Sequence, residues 1–536
     1  MSRLLFYFLL IHAFLQSCTN TEFNMADFDR ASENGKLANE GLNRCRNYVN
    51  AWINYSDPLT GLIPRNISDS RDYWNAWDAA ADNYPFMVLT SSLVMPEFFK
   101  TRAADMLKTE EKITSRIGKL PDTYSFSKKG FRNDIIDTSQ IIFGSAEYMK
   151  DGLVPLTEWL GESSWSDRMI GILDDLSVLT RVVITLNGTF YGGSAVVEVN
   201  GDLLQVLSRM YWFTGKREYL EWAAEIADYY LNDKNLPTIA LGKLRIRDHG
   251  CEIISGLCEA YLATSFSWPE KRKAWRPYIH RMLDSILETG RNKDGLFYNE
   301  VNPVTGEILS DGIADTFGYT LNAYYFIYML DSVPEYHDAV IKALEALNSG
   351  YVNYDWERGS ADGYADAIEG ALNLYNREQL PSVREWIDSQ TRVMWNLQKP
   401  DGIIEGWHGD GNFARTTIMY CLWKSQGLTA DPWHEKLNVG ASLTGGVLNA
   451  AISCEQGWSG RIKFDTPRWR DKMHMPVDYP RINQFQQWFT VEAGNKYEVT
   501  FFPSGKKRHF TGQEMINGLP VSIKPQEEVF ITVKEI

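Results

Sequence analysis

Acidic, basic and aromatic side chains recur at seven places along the chain, each leading into an apolar segment. The seven groups are Asp72, Trp74, Asn75, Trp77, Asp78 and Asp82; Asn133, Asp134 and Asp137; Glu198, Asn200 and Asp202; Arg245, Arg247, Asp248 and His249; Asp311, Asp315 and Tyr319; Asp362, Tyr364, Asp366 and Glu369; and Trp407, His408, Asp410, Asn412 and Arg415. Carboxylates and imidazoles exchange protons, guanidinium groups bind carboxylates, and tryptophan faces stack on flat ligands. These residue types together therefore predict a site for acid–base chemistry.

Helix capping explains part of this pattern, because Asp and Asn are favoured at helix amino termini. For a single aspartate such as Asp137 or Asp202, capping is the favoured interpretation. Capping does not explain the bases and aromatic residues in the same groups, namely Trp77, Arg245, Arg247, His249, Trp407, His408 and Arg415. We therefore predict that the groups converge on one pocket.

Helices of two kinds alternate up to about residue 430 and are the elements that must position these side chains. Segments such as 217–228 are amphipathic and charged, whereas segments such as 251–262 are apolar nearly all round and must be surrounded by protein. The second kind is predicted near residues 77–94, 137–150, 200–214, 249–265, 313–330, 362–376 and 411–426. This alternation predicts an inner ring of helices inside an outer ring, that is, a mainly α, (α/α)6–7 toroid over residues 35–435. Parallel inner helices would bring their amino ends to one mouth.

The chain changes character after about residue 440, where Gly, Ser and Thr become frequent. Tyr497, Val499 and Phe501 alternate with polar residues, and Val529, Ile531 and Val533 repeat that spacing of two. This period is typical of strands with one buried face. Residues 440–536 are predicted to form a small antiparallel, β-sandwich-like domain.

The amino terminus reads as an export signal. One arginine is followed by an apolar run from Leu4 to Leu15, which is too short to span a membrane. Leu15-Gln16-Ser17-Cys18 resembles the bacterial lipoprotein box, which implies a signal peptide over residues 1–18, a lipid anchor at Cys18 and a tether over 19–34. The expected location is the periplasm or the cell surface, anchored to a membrane.

Composition excludes several classes of function. A net charge of −15 argues against a nucleic-acid partner, which requires a basic surface. The six cysteines contain no Cys-x-x-Cys pair, and Cys251, Cys258 and Cys421 in apolar contexts indicate buried thiols. No phosphate-binding glycine loop or His-Glu-x-x-His motif occurs in a suitable context, so no cofactor and no metal site is predicted. The oligomeric state stays open.

Two stretches resemble the six-hairpin glycosidase superfamily, including unsaturated glucuronyl and rhamnogalacturonyl hydrolases. Trp77-Asp78 followed by Pro85-Phe86-Met87 is similar to their aspartate-then-proline stretch, and residues 397–402 (Leu-Gln-Lys-Pro-Asp-Gly) are similar to one of their turns. The added β domain looks more like the β-glucuronidases of glycoside hydrolase family 154, or like toroid-plus-β-sheet polysaccharide lyases. The resemblance implies Asp78 as the general acid, although Ala79 stands where those enzymes have a second aspartate.

The first functional hypothesis is a glycoside hydrolase that acts on glycans containing uronic acid. Such hydrolysis needs one protonated and one ionised carboxyl group, and the catalytic candidates are Asp78, Glu198, Asp366 and His249. The candidates for holding the oligosaccharide or polysaccharide are Trp77, Arg245, Arg247, Asp315, Tyr319, Trp407, His408 and Arg415. The run Arg245-x-Arg247-Asp248-His249 suits a uronate, since arginine binds carboxylates through two hydrogen bonds.

Two alternatives remain open at this stage. A polysaccharide lyase would use Tyr319 or His249 as the base and Arg415 to neutralise the uronate. A surface lipoprotein would bind glycans for import without altering them. Crowded carboxylates fit the second alternative poorly, because a binding protein gains little from them.

Overall fold

Paired helices form a closed ring in the computed structural model, which describes residues 25–187 and 194–536. We number the long helices in chain order, so that odd numbers are outer and even numbers inner. The outer helices are α1 (Met25–Ile53), α3 (Ala104–Thr114), α5 (Ser164–Asn187), α7 (Arg217–Tyr230), α9 (Pro269–Thr289), α11 (Pro334–Gly350) and α13 (Pro381–Asn396). The inner helices are α2 (Tyr84–Val94), α4 (Thr138–Glu147), α6 (Ser194–Thr214), α8 (Glu252–Ser267), α10 (Phe317–Asp331), α12 (Ala361–Tyr375) and α14 (Asn412–Ser425).

The ring closes where α14 packs against α1 and α2. Seven inner helices are present in the described part of the chain, and all seven fall at the predicted positions. The predicted α/α toroid is therefore confirmed, at the upper end of the predicted range of hairpins.

Burial explains the two helix types. Every residue of α8 from Glu252 to Thr264 is buried, whereas α7 buries one face and leaves the other to solvent. Small residues let neighbouring inner helices approach closely: a Cβ atom added to Gly318 on α10 would lie 2.3 Å from the Cα of Gly370 on α12. Close packing of this kind keeps the ring narrow and brings the inner amino termini together.

Short elements complete the ring. Helical turns lie at Ala76–Asn83, Phe99–Ala103 and Tyr148–Leu153 (all three π-helical), Pro96–Phe98, Val154–Leu160, Pro237–Ala240, Asp248–Cys251 and Trp356–Gly359. Rim strands lie at Tyr73–Trp74, Ser115–Ile117, Leu120–Pro121, Tyr124–Ser125, Gly130–Phe131, Leu244–Arg245, Tyr298–Asn302 and Glu307–Ile313. The first π-helical turn leads into α2, and the third continues α4.

Two antiparallel sheets form the C-terminal domain. Its strands are β1 (Thr429–Asp431), β2 (Leu437–Thr444), β3 (Val447–Cys454), β4 (Trp458–Lys463), β5 (Lys496–Phe502), β6 (Lys506–Thr511), β7 (Leu519–Ile523) and β8 (Glu528–Glu535), with short helices at Arg468–Asp471 and Gly512–Asn517. The sheet orders are β2-β3-β8-β5-β6 and β7-β4-β1, and both sheets contribute to one hydrophobic core. Val499 pairs with Val533 and both are buried, as the alternation predicts.

The prediction of a tether over residues 19–34 is wrong from Met25 onward, because α1 begins there. The first half of α1 packs on β2 and β3, and Phe28 contacts the rings of Phe502 and Phe530 at centroid distances of 5.6 and 5.0 Å. An apolar stripe that includes Ala31 and Ala38 makes this helix part of the folded protein. The predicted signal peptide and Cys18 lie outside the described residues. Within the described ranges, no helix combines the length and apolar character needed to cross a bilayer.

A segment between β4 and β5 leaves the C-terminal domain and enters the ring. We call residues 465–490 the plug. Its buried side chains Met473, Met475, Tyr479 and Phe485 belong to the hydrophobic core of the toroid, not to that of the sheets. It contacts the carboxyl ends of inner elements, for example where Asn376 after α12 donates to the Gln487 carbonyl at 3.0 Å. The plug thus closes the end of the ring opposite the helix amino termini, although the sequence predicted it as part of the β domain.

Candidate active site

The amino ends of the inner helices surround a cavity of about 390 Å³, a size within the range of small-molecule sites. Ten carboxylates line it: Asp78, Asp82, Glu147, Asp151, Asp248, Glu252, Glu357, Asp362, Asp366 and Asp410. Its other ionisable side chains include Lys150, Arg415, His249 and His408, and Trp77, Phe143 and Trp407 supply apolar surface. The cavity is therefore strongly acidic.

Most of the predicted site residues lie at this cavity. The lining includes Trp77, Asp78, His249, Tyr319, Asp366, Trp407, His408 and Arg415. The structure places four others outside the lining: Glu198, Asp315, Arg245 and Arg247. Oε1 of Glu198 lies 3.7 Å from Nδ1 of His249. Asp315 is buried and directly precedes Thr316, which lines the cavity. Arg245 ends a rim strand and is paired with Asp248.

Asp78 is held by two donors. Nε of Arg65 and Nδ2 of Asn75 each donate to its Oδ2 atom at 2.5 Å. A guanidinium and an amide donor on one oxygen stabilise the negative charge of the carboxylate. The other oxygen, Oδ1, lies 3.7 Å from Nε2 of His408. Asp78 is therefore held by donors on one oxygen, while its other oxygen faces His408.

Asp82 lies one turn further along the same π-helical segment and has different surroundings. Its Oδ2 atom is 3.6 Å from Nε2 of His408, and no arginine or lysine is bonded to it among the described residues. Burial raises the pKa of Asp82 to about 7, and the charges of Asp151 and Asp78 act in the same direction while His408 opposes them. Burial disfavours the charged form of His408, but Asp82, Asp78 and Asp410 raise its pKa. Neighbouring carboxylates with opposed environments are the arrangement that separates an acid from a base.

Tyr319 and Arg415 join two more carboxylates, Asp366 and Glu369. The Tyr319 hydroxyl lies 2.8 Å from Oδ1 of Asp366 and 3.0 Å from Oε2 of Glu369, and it can donate its single proton to one of them. Arg415 pairs with the same two groups, at 2.6 Å from Asp366 and 2.9 Å from Glu369. Burial raises the pKa of Glu369 to about 7 against the influence of Arg415, and burial raises the pKa of Tyr319 well above its ordinary value.

Lys150 is the centre of a third, fully buried group. Its Nζ atom lies 2.8 Å from Asp151 and 2.5 Å from Glu252. Burial raises the pKa of Glu147 and of Asp202 well above their ordinary values, and neighbouring carboxylates add to the effect. Asp202 lies inside α6 and is completely buried, so the interpretation of this residue as a helix cap is wrong. Asp137 does cap α4, accepting from the amides of Ser139 and Gln140.

His249 faces three carboxylates. Its ring nitrogens lie 3.3 Å from Glu147, 3.7 Å from Glu198 and 3.3 Å from Asp248. Burial opposes protonation, but Asp248 and Glu198 raise the pKa of His249 to about 10. His249 is therefore a cation at neutral pH and not a proton acceptor.

Two triplets bring metal-type donor atoms within 4.8 Å of one another, Asp78 with Asp82 and His408, and Glu147 with Asp151 and His249. In each triplet, one carboxylate is already paired with a cation from outside the triplet. Arg65 is bonded to Asp78, and Lys150 is bonded to Asp151. These cations supply the positive charge that a metal ion would bring, so we interpret both triplets as proton-sharing groups.

Trp407 marks the mouth of the cavity. Its side chain is 81% exposed although it lines the cavity. The guanidinium of Arg65 lies 5.3 Å from its ring centroid, which orients the indole. An exposed, oriented aromatic face at a pocket entrance is suited to stacking on a sugar ring.

Several residues of the site are absent from the catalytic and binding candidates chosen in the sequence analysis. They are Arg65, Asp82, Glu147, Lys150, Asp151 and Glu252, together with Asn483 from the plug. A signal for four of them existed, because Glu147, Lys150, Asp151 and Glu252 are charged residues inside segments that are otherwise apolar. No local signal marks Asn483, which reaches the site only through the path of the plug.

No protein-family model matches this chain, and no curated protein matches its sequence. Solved structures that resemble it include an α-1,6-mannanase of family GH76 from Salegentibacter sp. HEL1_6 (TM-score 0.41, 11% identity, covering 71% of this chain and 98% of that one). A second is a cellobiose 2-epimerase from Bacillus thermoamylovorans (TM-score 0.40, 12% identity, covering 72% of this chain and 98% of that one). A third is an unsaturated glucuronyl hydrolase from Bacillus sp. GL1 (TM-score 0.37, 12% identity, covering 54% of this chain and 86% of that one). Likenesses this distant assign neither a substrate nor a catalytic residue to this chain.

Proposed function

We propose that this protein is a glycoside hydrolase that cleaves a glycan whose terminal part occupies the cavity. The observation that carries the proposal is the pair Asp78 and Asp82, whose carboxylates lie within 4.8 Å of each other in opposed environments. Glycosidic hydrolysis needs such a pair. Asp82 donates a proton to the leaving oxygen as the glycosidic bond breaks, and the carboxylate of Asp78 stabilises the positive charge that develops on the sugar. A water molecule then bonds to the anomeric carbon and returns a proton to Asp82. These roles replace the sequence-based expectation that Asp78 is the acid.

The nature of the sugar is a finer proposal. The sequence predicts a uronate, but two of the three arginines expected to bind it are already paired: Arg245 with Asp248, and Arg415 with Asp366 and Glu369. The third, Arg247, lies outside the cavity lining. The carboxyl groups of the lining that stay ionised, among them Asp151 and Asp248 with their lowered pKa values, repel a further negative charge. We therefore propose a neutral sugar ring in the cavity, with Trp407 stacking on the adjacent unit, and keep the uronate as the competing outcome.

The lyase alternative has less support. A lyase base must accept a proton, whereas the Tyr319 hydroxyl lies within hydrogen-bond distance of two carboxylates and burial holds its pKa far above neutrality. His249 is protonated at neutral pH, and Arg415 is engaged by carboxylates. The remaining alternative, glycan capture without catalysis, gives no role to the opposed environments of Asp78 and Asp82.

Incubation with a panel of neutral and uronate-bearing oligosaccharides, read by mass spectrometry, tests the proposal. Hydrolysis adds one water to the products, and elimination produces an unsaturated sugar without added water. Cleavage of neutral oligosaccharides with gain of water is expected. Cleavage of uronate-bearing members alone would return the specificity to the sequence-based prediction. Binding with no cleavage of any member would overturn the proposed function.

The pH profile provides a second prediction. An acid must be protonated to act, and Asp82 keeps its proton up to a pKa of about 7. We expect kcat/KM to fall as pH rises through about 7, since this parameter reports the essential groups of the free enzyme. Initial rates from pH 5 to 9 at low substrate concentration measure it. A profile that stays level to pH 9 would contradict the assignment of Asp82.

The cellular location stays a proposal from the sequence. We propose that the chain is exported and anchored at Cys18, which would place the cavity in the periplasm or at the cell surface. Radiolabelled lipid should be incorporated into the full chain and not into Cys18→Ala. Equal labelling of both proteins would exclude this anchor.

A further inference from the structure

The tip of the plug reaches the floor of the cavity from the C-terminal domain. Ile482 packs against Cys251 and Tyr319. Asn483 follows it with a φ of 60° and is 1% exposed. Asparagine tolerates this left-handed conformation better than other residues with a Cβ atom. The tip therefore holds a buried amide side chain directly beneath the acidic walls.

Three polar groups of Asn483 form hydrogen bonds with residues on three different elements of the ring. Its backbone N–H donates to Oε1 of Glu369 on α12 at 2.6 Å. Its Nδ2 atom donates to Oδ1 of Asp151 in the π-helical continuation of α4 at 2.8 Å. Its Oδ1 atom accepts from Nη1 of Arg415 on α14 at 3.0 Å. Both a donor and an acceptor are used, so no charged residue of similar shape could make all three bonds.

These contacts influence the charge inside the cavity. Burial favours the neutral form of Asp151, but Lys150, His249 and the hydrogen bond from Asn483 lower its pKa. The negative charge of Asp151 in turn raises the pKa of Asp82, together with Asp78 and against His408 and His249. The other charged groups near Asp151 are Glu147, Asp202 and Glu252, each with a raised pKa.

We propose that Asn483 is a positioning residue of the active site: its side chain bonds Asp151 and Arg415 from below and thereby fixes the charged groups that face Asp82. The β domain is then a working part of the cavity as well as a neighbour of the ring. This inference rests on the proposed role of Asp82 as the acid. It assigns Asn483 no contact with substrate.

Two Asn483 variants and one control test the inference by activity. Asn483→Gly keeps the left-handed backbone and the N–H bond to Glu369 but removes both side-chain contacts. N483D keeps the shape and loses the donor to Asp151. We expect kcat to fall about tenfold or more in both variants. In Asn483→Gly, which adds no charge, the alkaline limb of the pH profile should also shift down by about half a unit or more. Gln486→Met is the control, because Gln486 is equally buried in the plug and bonds Asn373 away from the cavity.

The Gln486→Met control should be less stable than the wild type, but the alkaline limb of its pH profile should stay at the same pH. An alkaline limb that stays at the same pH in Asn483→Gly would overturn the inference, even if kcat falls, because a merely structural role predicts that result. Titration by NMR of Asp-selectively 13C-labelled protein separates this outcome from a failure of the proposed function. In Asn483→Gly, Asp151 should titrate at higher pH and Asp82 at lower pH, with signals assigned from Asp151→Asn and Asp82→Asn. Unchanged titration overturns the inference whether or not the protein hydrolyses glycans.

Discussion

Asp82→Asn is expected to lose turnover by about 10²- to 10⁴-fold, the usual contribution of a general acid. The amide keeps the size of the carboxyl group but has no proton to give to a leaving oxygen. Steady-state rates on the oligosaccharide identified by the panel measure the loss, and KM should change far less than kcat. Asp137→Asn is the matched control, since it makes the same chemical change at an exposed helix cap. Comparable activity of the two variants would refute the role of Asp82.

The same substitution should stabilise the fold at high pH. The pKa of Asp82 is raised to about 7 in the folded protein, so its stabilising contribution is present at low pH and is lost as pH rises through about 7. The asparagine has no ionisation to suppress. We expect the melting temperature of the variant to exceed that of the wild type at pH 8 and to match it more closely at pH 5. A lower melting temperature at both values would contradict the assigned environment.

Arg168→Met is expected to destabilise the protein by about 3–5 kcal/mol, the usual cost of leaving one member of a buried ion pair alone. Arg168 on α5 is completely buried and makes two bonds with Glu110 on α3, at 3.0 and 2.6 Å. Its Nη1 atom also donates to the Lys119 carbonyl at 2.5 Å. Urea unfolding at pH 7 measures the loss as a lower midpoint.

Arg470→Met is the control for this prediction. Arg470 pairs with Glu492 at 2.6 Å, but both side chains are exposed, so the expected cost is about 0–1 kcal/mol. Adding Glu110→Gln to the Arg168 variant should recover part of the loss, because the unpaired buried charge is removed. Equal midpoints for the Arg168 and Arg470 variants would show that the buried pair contributes no more than a surface pair.

The sequence predicted the ring because its signal is local and repeated. Each inner helix is apolar nearly all round, as in α8, and each outer helix has one charged face, as in α7; such patterns are set by burial alone. The alternation of Tyr497, Val499 and Phe501 predicted β5 for the same reason. The plug could not be predicted, because its arginines and amides are polar residues typical of an exposed loop. They are buried only because the ring provides partners for them, such as Glu158 for Arg481.

The location of the site could be predicted from the sequence, but the roles of its individual residues could not. The convergence of helix amino termini brought Asp78, His249, Tyr319 and Arg415 to one cavity. The sequence pattern could not show that one π-helical turn carries both Asp78 and Asp82. It also could not show that Arg65 bonds Asp78 and not Asp82. Those contacts decide which carboxyl keeps its proton. Arg245 was misjudged because its neighbour three residues away, Asp248, neutralises it.

The position of the plug in the chain has a consequence for biosynthesis. All seven inner helices are translated before residues 465–490, which close the ring from one end, and β5 to β8 follow later still. Until then Glu158 and Glu259 face an open bore without Arg481 and Tyr479. We therefore expect a nascent chain that ends before the plug to remain sensitive to protease, and the cavity to reach its working form only after the ribosome has released nearly the whole polypeptide.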